Sequence, residues 1–225
     1  MAEAREHVAS QPVVNADETG WKERAKKCWL WVAVSSMVTV FLIQRGRDAE
    51  AARNLLGRWF VGTLGSDRLG SYDWVSNWQA CWSHLLRDFA RIAERTGEPE
   101  KIGRRLVRHG KKLFKAWHRF KEKGLSRSTL QRDLRPLRQR IERALKAGSK
   151  CGHATTQNEC LGLIKASRWF WTFAYVDGVE PTNNVSEQRL RHGVIWRKVR
   201  TGTQSNWGSR FVERALTVVA TLEQQ

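Results

Sequence analysis

The sequence predicts an α/β fold in which a mixed sheet flanked by helices is interrupted by a basic, all-helical insertion. Three observations favour it. Runs of β-forming residues fill the first third of the chain, a strand–helix–strand pattern follows them, and the pattern from Arg95 to Lys150 is helical and strongly basic. A chain of 225 residues can bury a core in one domain that carries an insertion.

The first three predicted strands are Pro12 to Asp17, Trp29 to Val34 and Val38 to Gln44, all rich in β-branched or aromatic residues. Ser35, Ser36 and Met37 allow a tight connection between the second and third. We therefore expect these two strands to form an antiparallel hairpin beside the first.

A short helix and a fourth strand are predicted next. Asp48 to Leu56 has an acidic cap and ends before Gly57, and Trp59 to Leu64 is a strand that runs into Asp67. A strand–helix–strand crossover places the fourth strand parallel to a neighbour. Asp17 and Asp67 are then expected near the C-terminal ends of strands, where open α/β sheets place their sites.

The insertion is predicted as two amphipathic basic helices. From residue 95 to 150 there are 19 Lys and Arg against five acids. Apolar residues recur at helical spacing in two sets: Ile102, Leu106, Leu113, Trp117 and Phe120, then Leu130, Leu134, Leu137, Ile141 and Leu145. Pro136 predicts that the second helix begins or kinks near Arg135. The alternative to an anion-binding surface is a solvated basic face.

A linker over 148–158 and a third helical pattern from Glu159 are expected to lead into an aromatic cluster, Trp169 to Tyr175. The predicted boundaries are 1–92 for the first part of the α/β core, 93–165 for the insertion and 166–225 for the last part of the core. Core packing is the favoured role of most of the 12 tryptophans over stacking on bases.

The net charge of +18 indicates nucleic acid or an anionic membrane surface as the partner. No apolar run approaches the ~18 residues of a membrane span, and the N-terminal residues lack the apolar core of a signal peptide, so an intracellular protein is expected. The four cysteines are too few and too scattered for a disulfide framework or a paired-CxxC zinc site, and are expected to be reduced.

Glu187 is the only acid between Pro181 and Val212, and it lies in a strongly basic run. A helix start is predicted at Pro181 to Asn184. With Asn184 as the cap, Glu187 would be the N3 residue of a capping-box-like start, which spacing alone favours. A metal site is the alternative, because Asp17, Asp67 and Glu187 are the oxygen donors that Mg²⁺ or Mn²⁺ prefers. Their separation by 50 and 120 residues means that only the fold could bring them together.

Four segments together resemble the catalytic domain of DDE transposases of the insertion sequence 66 family: DETGW at Asp17, SDRLGSYDW at Asp67, QACWSHLLRDF from Gln79, and the long run Val179 to Phe211. The resemblance implies an RNase H-like fold with a helical insertion before the third acid. It also implies phosphodiester cleavage and strand transfer at the ends of an insertion sequence, using two Mg²⁺ or Mn²⁺ ions. Asp17, Asp67 and Glu187 would be the catalytic and metal-binding residues.

The resemblance also suggests supporting residues. Cys81 and His84 are similar to a Cys-x-x-His signature, and Asn183 and Asn184 precede the third acid. The neighbouring acids Glu18 and Asp73 rank below the three, since strand alternation turns Glu18 away from Asp17. Phosphates of bound DNA would be contacted by the basic run, with a solvated face as the alternative: Arg189, Arg191, Arg197, Lys198 and Arg200.

The expected partners are double-stranded DNA, as transposon ends and target, and further copies of the chain in a homo-oligomer when active, without a membrane. The expected location is the bacterial cytoplasm, associated with the nucleoid. Family members carry an upstream region for end recognition and a longer last helix, so this chain is expected to be truncated at both ends. Two alternatives stay open: a non-catalytic DNA-binding remnant, and another RNase H-like nuclease such as a junction resolvase.

Overall fold

The computed structural model describes residues 1–225, and its architecture is mixed α/β, as predicted; the RNase H-like assignment stays a prediction. Five strands and eight α-helices follow one another along the chain, with three short 3-10 helices at 70–72, 167–170 and 172–174. Their bounds are α1 Ala2–Ala9, β1 Val13–Glu23, β2 Lys26–Val34, β3 Thr39–Gln44, α2 Ala49–Leu56, β4 Thr63–Ser66, β5 Asn77–Ala80, α3 Trp82–Ala93, α4 Glu98–Glu122, α5 Arg127–Gly148, α6 Ala154–Ala166, α7 Asn184–Arg200 and α8 Asn206–Leu222.

Packing divides the chain into two compact units. The first unit combines Met1–Gln79 with Thr182–Gln225, and the second is Ala80–Pro181. The first unit therefore contains the sheet together with α7 and α8, and the second contains α3 to α6. The domain boundaries predicted from the sequence stay a prediction.

The sheet has the strand order β3-β2-β1-β4-β5, with β1 in the centre. β2 pairs in antiparallel orientation with both β1 and β3, and β4 lies parallel to β1. The predicted hairpin and the parallel fourth strand are therefore confirmed. β1 continues to Glu23, beyond its predicted end, because a two-residue turn with Arg24 at φ 54° returns the chain directly into β2. β4 begins only at Thr63, since Trp59 and Val61 before it are exposed.

Alternation along β1 creates two faces of different character. Asp17 is paired with Val32 and Thr19 with Leu30, so these residues share one face of the sheet. Glu18, paired with Trp31, points to the opposite face.

Helix α7 covers the face that carries Asp17. Leu190 of α7 belongs to the same buried cluster as Leu30 and Val32. The helix approaches the sheet closely at Gly193, where an added Cβ would lie 2.2 Å from Leu30 Cδ2. The small residue therefore lets the helix lie close to β2.

Helix α8 protects the exposed edge of the sheet at β3. The backbone N–H groups of Ile43, Phe41 and Thr39 donate hydrogen bonds to side-chain oxygens of α8 at 2.6, 3.0 and 3.2 Å. The acceptors are spaced four residues apart: Glu213, Thr217 and Thr221. Four helical residues rise ~6 Å and two strand residues ~6.8 Å, so the two repeats match. Unpaired donors that could recruit another strand are thereby satisfied.

The second unit is a helical assembly around an aromatic core. Trp82 packs edge-to-face against Phe170 and Trp171, with ring centroids 5.9 and 5.3 Å apart, and its indole N–H donates to the Phe170 carbonyl. Trp117 packs against Phe173 at 5.3 Å. These contacts confirm that tryptophans of this region serve core packing, as expected.

The helix boundaries of the second unit correct the sequence expectations. Helix α5 begins at Arg127, because the Ser126 side chain accepts a hydrogen bond from the Thr129 N–H, and Pro136 lies inside the helix. Burial of the Leu130 and Leu134 stripe outweighs the lost backbone bond at Pro136. Helix α6 begins at Ala154, where the His153 side chain caps it, so the linker is shorter than expected.

Three elements were not expected from the sequence: α1, α3 and β5. All four cysteines are free in the structure.

Candidate active site

Asp17 lies on β1, and Asp67 follows directly after the end of β4, the strand parallel to β1. The last paired residues of β1 and β4 are Asn15 and Gly65, and each aspartate comes two residues later. Adjacent strands are ~4.8 Å apart, and residues in the same register point to the same face. The two carboxylates are therefore neighbours beside the C-terminal end of β4. Asp67 lies at a strand end as expected, whereas Asp17 lies in the middle of β1, because that strand continues to Glu23.

Asn15 is a neighbour of this site that sequence reasoning missed. A Cβ at Gly65 would lie 2.3 Å from Asn15 Oδ1, so the Asn15 side chain occupies the space over Gly65. The sequence signal for Asn15 was a pair of similar spacings, Asn-x-Asp on β1 and Gly-x-Asp at the end of β4. Asn15 and Gly65 are paired in register, and each is followed two residues later by an aspartate.

Glu187 reaches the same face from the first turns of α7. Asn183 is the N-cap residue and is fully buried, and its Nδ2 donates to the Ala16 carbonyl at 3.4 Å. The Glu187 N–H donates to the Asn183 carbonyl at 3.2 Å. The start of α7 is therefore held against β1 next to Asp17. Asn184 lies in the first turn and is exposed.

The capping-box interpretation of Glu187 does not fit this helix start. Because Asn183 rather than Asn184 is the N-cap, Glu187 is the fourth helical residue instead of the third. The reciprocal bond of a capping box needs the third residue. The expected capping role is therefore wrong for this helix.

The electrostatics of Asp17 show that the three acids are close together. Its pKa is raised from 3.8 to about 7, first by burial and then by the negative charges of Glu18, Asp67 and Glu187, while a hydrogen bond from the Glu18 N–H at 2.9 Å acts in the opposite direction. Negative charges that lie close together in a partly buried site repel each other, and a bound cation would reduce this repulsion. A set of carboxylate oxygens suits a hard divalent cation such as Mg²⁺ or Mn²⁺.

Glu18 lies on the opposite face and has its own partners. Its Oε1 accepts two hydrogen bonds from Arg47, at 2.7 and 3.0 Å, and its Oε2 accepts one from the Tyr72 hydroxyl at 3.3 Å. Burial raises the pKa of Glu18 although Arg47 opposes this. Its lower ranking as a site residue agrees with these contacts, and Asp73 is exposed.

The five basic residues predicted to contact DNA fall into two groups. Arg189 forms an ion pair with Glu223 at 2.8 Å, and Arg197 donates to Thr19 Oγ1 at 3.2 Å and to the Gly20 carbonyl. These two therefore hold α7 in place. The other three are exposed, with no ion pair: Arg191, Lys198 and Arg200.

A basic cleft adjoins the C-terminal half of α7. Its volume is about 570 Å³, and Lys22 and Lys27 of the β1–β2 hairpin line it together with Arg197 and Lys198. Lys22 and Lys27 are exposed and were missed as candidates. The basic segment KERAKK at the hairpin was the signal for them.

Cys81 and His84 belong to the second unit. Cys81 is buried and is the N-cap residue of α3, and His84 is half-buried in the first turn of that helix. The thiol and an imidazole nitrogen lie within 4.8 Å of each other. Their supporting role stays a prediction.

Comparison with known proteins gives one match. The sequence model of a family described as Transposase IS66 family matches residues 1–210. No curated protein and no solved structure matches the chain. Among the helices, none has the length and apolarity needed to cross a membrane.

Proposed function

This chain belongs to the IS66 transposase family, and we propose that it carries out metal-dependent phosphodiester cleavage and strand transfer at the ends of an insertion sequence. One observation carries the proposal. Asp67 and Glu187, remote from Asp17 in sequence, both act on the Asp17 carboxylate through their charge. An RNase H-like fold and two bound Mg²⁺ or Mn²⁺ ions are parts of this proposal.

The three carboxylates would hold the ions. Two divalent cations at such a site activate the attacking oxygen and stabilise the leaving oxygen of an in-line phosphoryl displacement. Asp17, whose pKa is raised to about 7, would have to release its proton to act as a metal ligand. Asn183 keeps the third acid in place through its bond to the Ala16 carbonyl.

The DNA substrate would be held by the exposed cations beside the acidic cluster. Arg191, Lys198 and Arg200 are available for phosphates, and Lys22 and Lys27 extend the basic surface. In cleavage, water attacks the phosphorus and the P–O3′ bond breaks. The freed 3′-hydroxyl then attacks a target phosphodiester, so no covalent protein–DNA intermediate forms.

The family implies DNA as the partner. Assembly into a homo-oligomer when active follows from the need to hold two element ends together. A bacterial cytoplasmic, nucleoid-associated location follows from the substrate.

The deciding experiment is nicking of a labelled element end in the presence of Mn²⁺. We expect cleavage by the wild type and a loss of on the order of 10³-fold or more with Glu187→Gln, because one ligand of the proposed metal site is lost. The exposed Asp73→Asn is the control and should cleave normally. Equal cleavage by Glu187→Gln and the wild type would remove Glu187 from the mechanism.

Calorimetry of Mn²⁺ binding separates the catalytic proposal from a non-catalytic remnant. The wild type should bind Mn²⁺, and Asp17→Asn, Asp67→Asn and Glu187→Gln should each weaken binding. A remnant that has lost its metal site would bind DNA but show no Mn²⁺ binding that depends on these residues.

A further inference from the structure

Helices α4 and α5 carry many cations that no acid neutralises. Four of the acids in these helices already form ion pairs with other cations: Glu98 with Lys101, Glu100 with Arg104, Asp133 with Arg119 and Glu142 with Arg138. Lys121 pairs with Glu180, and the other exposed cations of the two helices have no ion pair: Arg105, Arg108, Lys111, Lys112, Lys115, Arg132, Arg135, Arg140, Arg143 and Lys146. The basic excess of this region is therefore not balanced within it.

Four of these cations gather around one buried histidine. His109 of α4 is 8% exposed. Its pKa is lowered first by burial and then by the charges of Arg108, Arg140, Lys112 and Arg143. Two of the four come from α4 and two from α5, so the helices place like charges side by side. We call Arg108, Lys112, Arg140 and Arg143 the His109 basic face.

Two open clefts lie beside the exposed cations of α4. One, of about 710 Å³, lies between α3 and α4 and is lined by Arg108, Lys111 and Lys115, with Ala90 and Ala93 on its other side. The other, of about 470 Å³, lies between α4 and α5 and is lined by Lys112, Arg119 and Arg132, among others. Arg108 and Lys112 of the His109 basic face therefore line open clefts, and Arg140 and Arg143 are exposed on α5.

We propose that the His109 basic face binds the phosphate backbone of double-stranded DNA, as a contact surface additional to the basic run of α7. The choice of DNA rests on the proposed function. Repelling cations held together on a rigid helix pair are relieved by a ligand of high negative charge density. Duplex DNA presents a charge about every 1.7 Å along its axis.

An anionic membrane is the less suitable ligand for this face. A helix that lies on a membrane inserts large apolar side chains beside its cations. All exposed large apolar residues of the chain lie outside α4 and α5. The apolar stripes of both helices are instead buried in the second unit.

The test compares two fourfold variants of the full chain by fluorescence anisotropy with a labelled DNA duplex. One variant changes the His109 basic face: Arg108→Gln, Lys112→Gln, Arg140→Gln and Arg143→Gln. The control removes the same charge from cations that already have acidic partners and lie outside both clefts: Arg91→Gln, Lys101→Gln, Lys121→Gln and Arg138→Gln.

We expect the slope of log affinity against log salt to become shallower by about 3 to 4 in the first variant. The affinity should fall on the order of 10³-fold at ~0.1 M salt, and clearly less in the control. If the first variant keeps the slope of the wild type, or loses no more affinity than the control, the proposal is wrong. Binding to phosphatidylserine vesicles that exceeds DNA binding and depends on these four residues would also overturn it.

A second readout covers the case in which the fourfold variant does not fold. The single variant Arg140→Gln should flatten the salt slope by about 0.9. In the wild type, DNA should raise the pKa of His109, measured by NMR, because bound phosphates neutralise the surrounding cations. An unchanged salt slope together with an unchanged His109 titration would refute the proposal.

The measurements are made with EDTA, so that they do not depend on catalysis. If the His109 basic face fails this test while Mn²⁺-dependent nicking depends on Glu187, only the proposal of an additional contact surface is refuted, and the catalytic proposal stands. If binding depends on the basic face but no Mn²⁺ binding is found, the catalytic proposal fails and the surface remains.

Discussion

Asp17→Asn is expected to stabilise the metal-free protein at neutral and alkaline pH while it removes metal binding. The folded protein holds the Asp17 proton with a pKa of about 7, against 3.8 for the ordinary group. A separation of about three pH units corresponds to roughly 4 kcal/mol. Asparagine has nearly the same shape but neither charge nor titration, so it avoids the cost of burying a carboxylate beside Asp67 and Glu187.

The sign of the effect depends on pH. Because the folded state binds the Asp17 proton more tightly than the unfolded state, the free energy of unfolding of the wild type falls as pH rises from about 4 to about 7, and then stays level. The free energy of unfolding of Asp17→Asn does not fall in this way, because asparagine does not titrate. Its stability relative to the wild type should therefore rise by on the order of 2–4 kcal/mol between pH 4 and pH 8.

Urea unfolding followed by circular dichroism, with EDTA present, measures this difference at several pH values. The exposed Asp73→Asn is the matched control and should show no such dependence. A constant difference between Asp17→Asn and the wild type across this range would refute the reasoning. It would mean that the Asp17 carboxylate is solvated and distant from the other acids.

Three further predictions follow from the same structure. Mn²⁺ affinity, measured by calorimetry, should increase up to about tenfold per pH unit below about pH 7 and then level off, because metal and proton compete for Asp17; a flat profile would contradict this. Thr217→Val should lower the free energy of unfolding by about 1–3 kcal/mol, since the Phe41 N–H loses its acceptor under α8, whereas the exposed Val218→Thr should stay within about 0.5 kcal/mol. Gly193→Ala should cost about 1–3 kcal/mol in the same denaturation assay because its Cβ meets Leu30, and a neutral result would mean that α7 can shift without cost.

Much of the first unit could be predicted from residue patterns because its elements are specified locally. The β-branched runs, the Asp48 cap and the Gly57 stop coincide with β2, β3 and α2. The elements that were misjudged depend on packing. Pro136 lies inside α5 because a buried leucine stripe continues through it, and β5 is too short to have a pattern of its own.

Some features of the candidate site could likewise be predicted from local patterns, whereas others depend on packing. Alternation along β1 separates Asp17 from Glu18, and Asp17 and Asp67 each come two residues after Asn15 and Gly65, the last pair that joins β1 and β4. Neither pattern says which cations are free. Arg189 and Arg197 look like their neighbours in sequence, but the fold gives them Glu223 and the Gly20 carbonyl as partners.

The sequence by itself determined the strand pattern, the basic excess, the family resemblance and the identity of three acids as candidates. These follow from composition, from periodicity and from short motifs, all of which are local. Only the tertiary structure placed Glu187 near Asp17, because spacing alone favoured a helix cap. Packing of α7 on the Asp17 face, with Asn183 bonded to the strand at Ala16, brings its charge to the two aspartates. Electrostatic interaction depends on distance in space, and residues 120 positions apart acquire that distance only through folding.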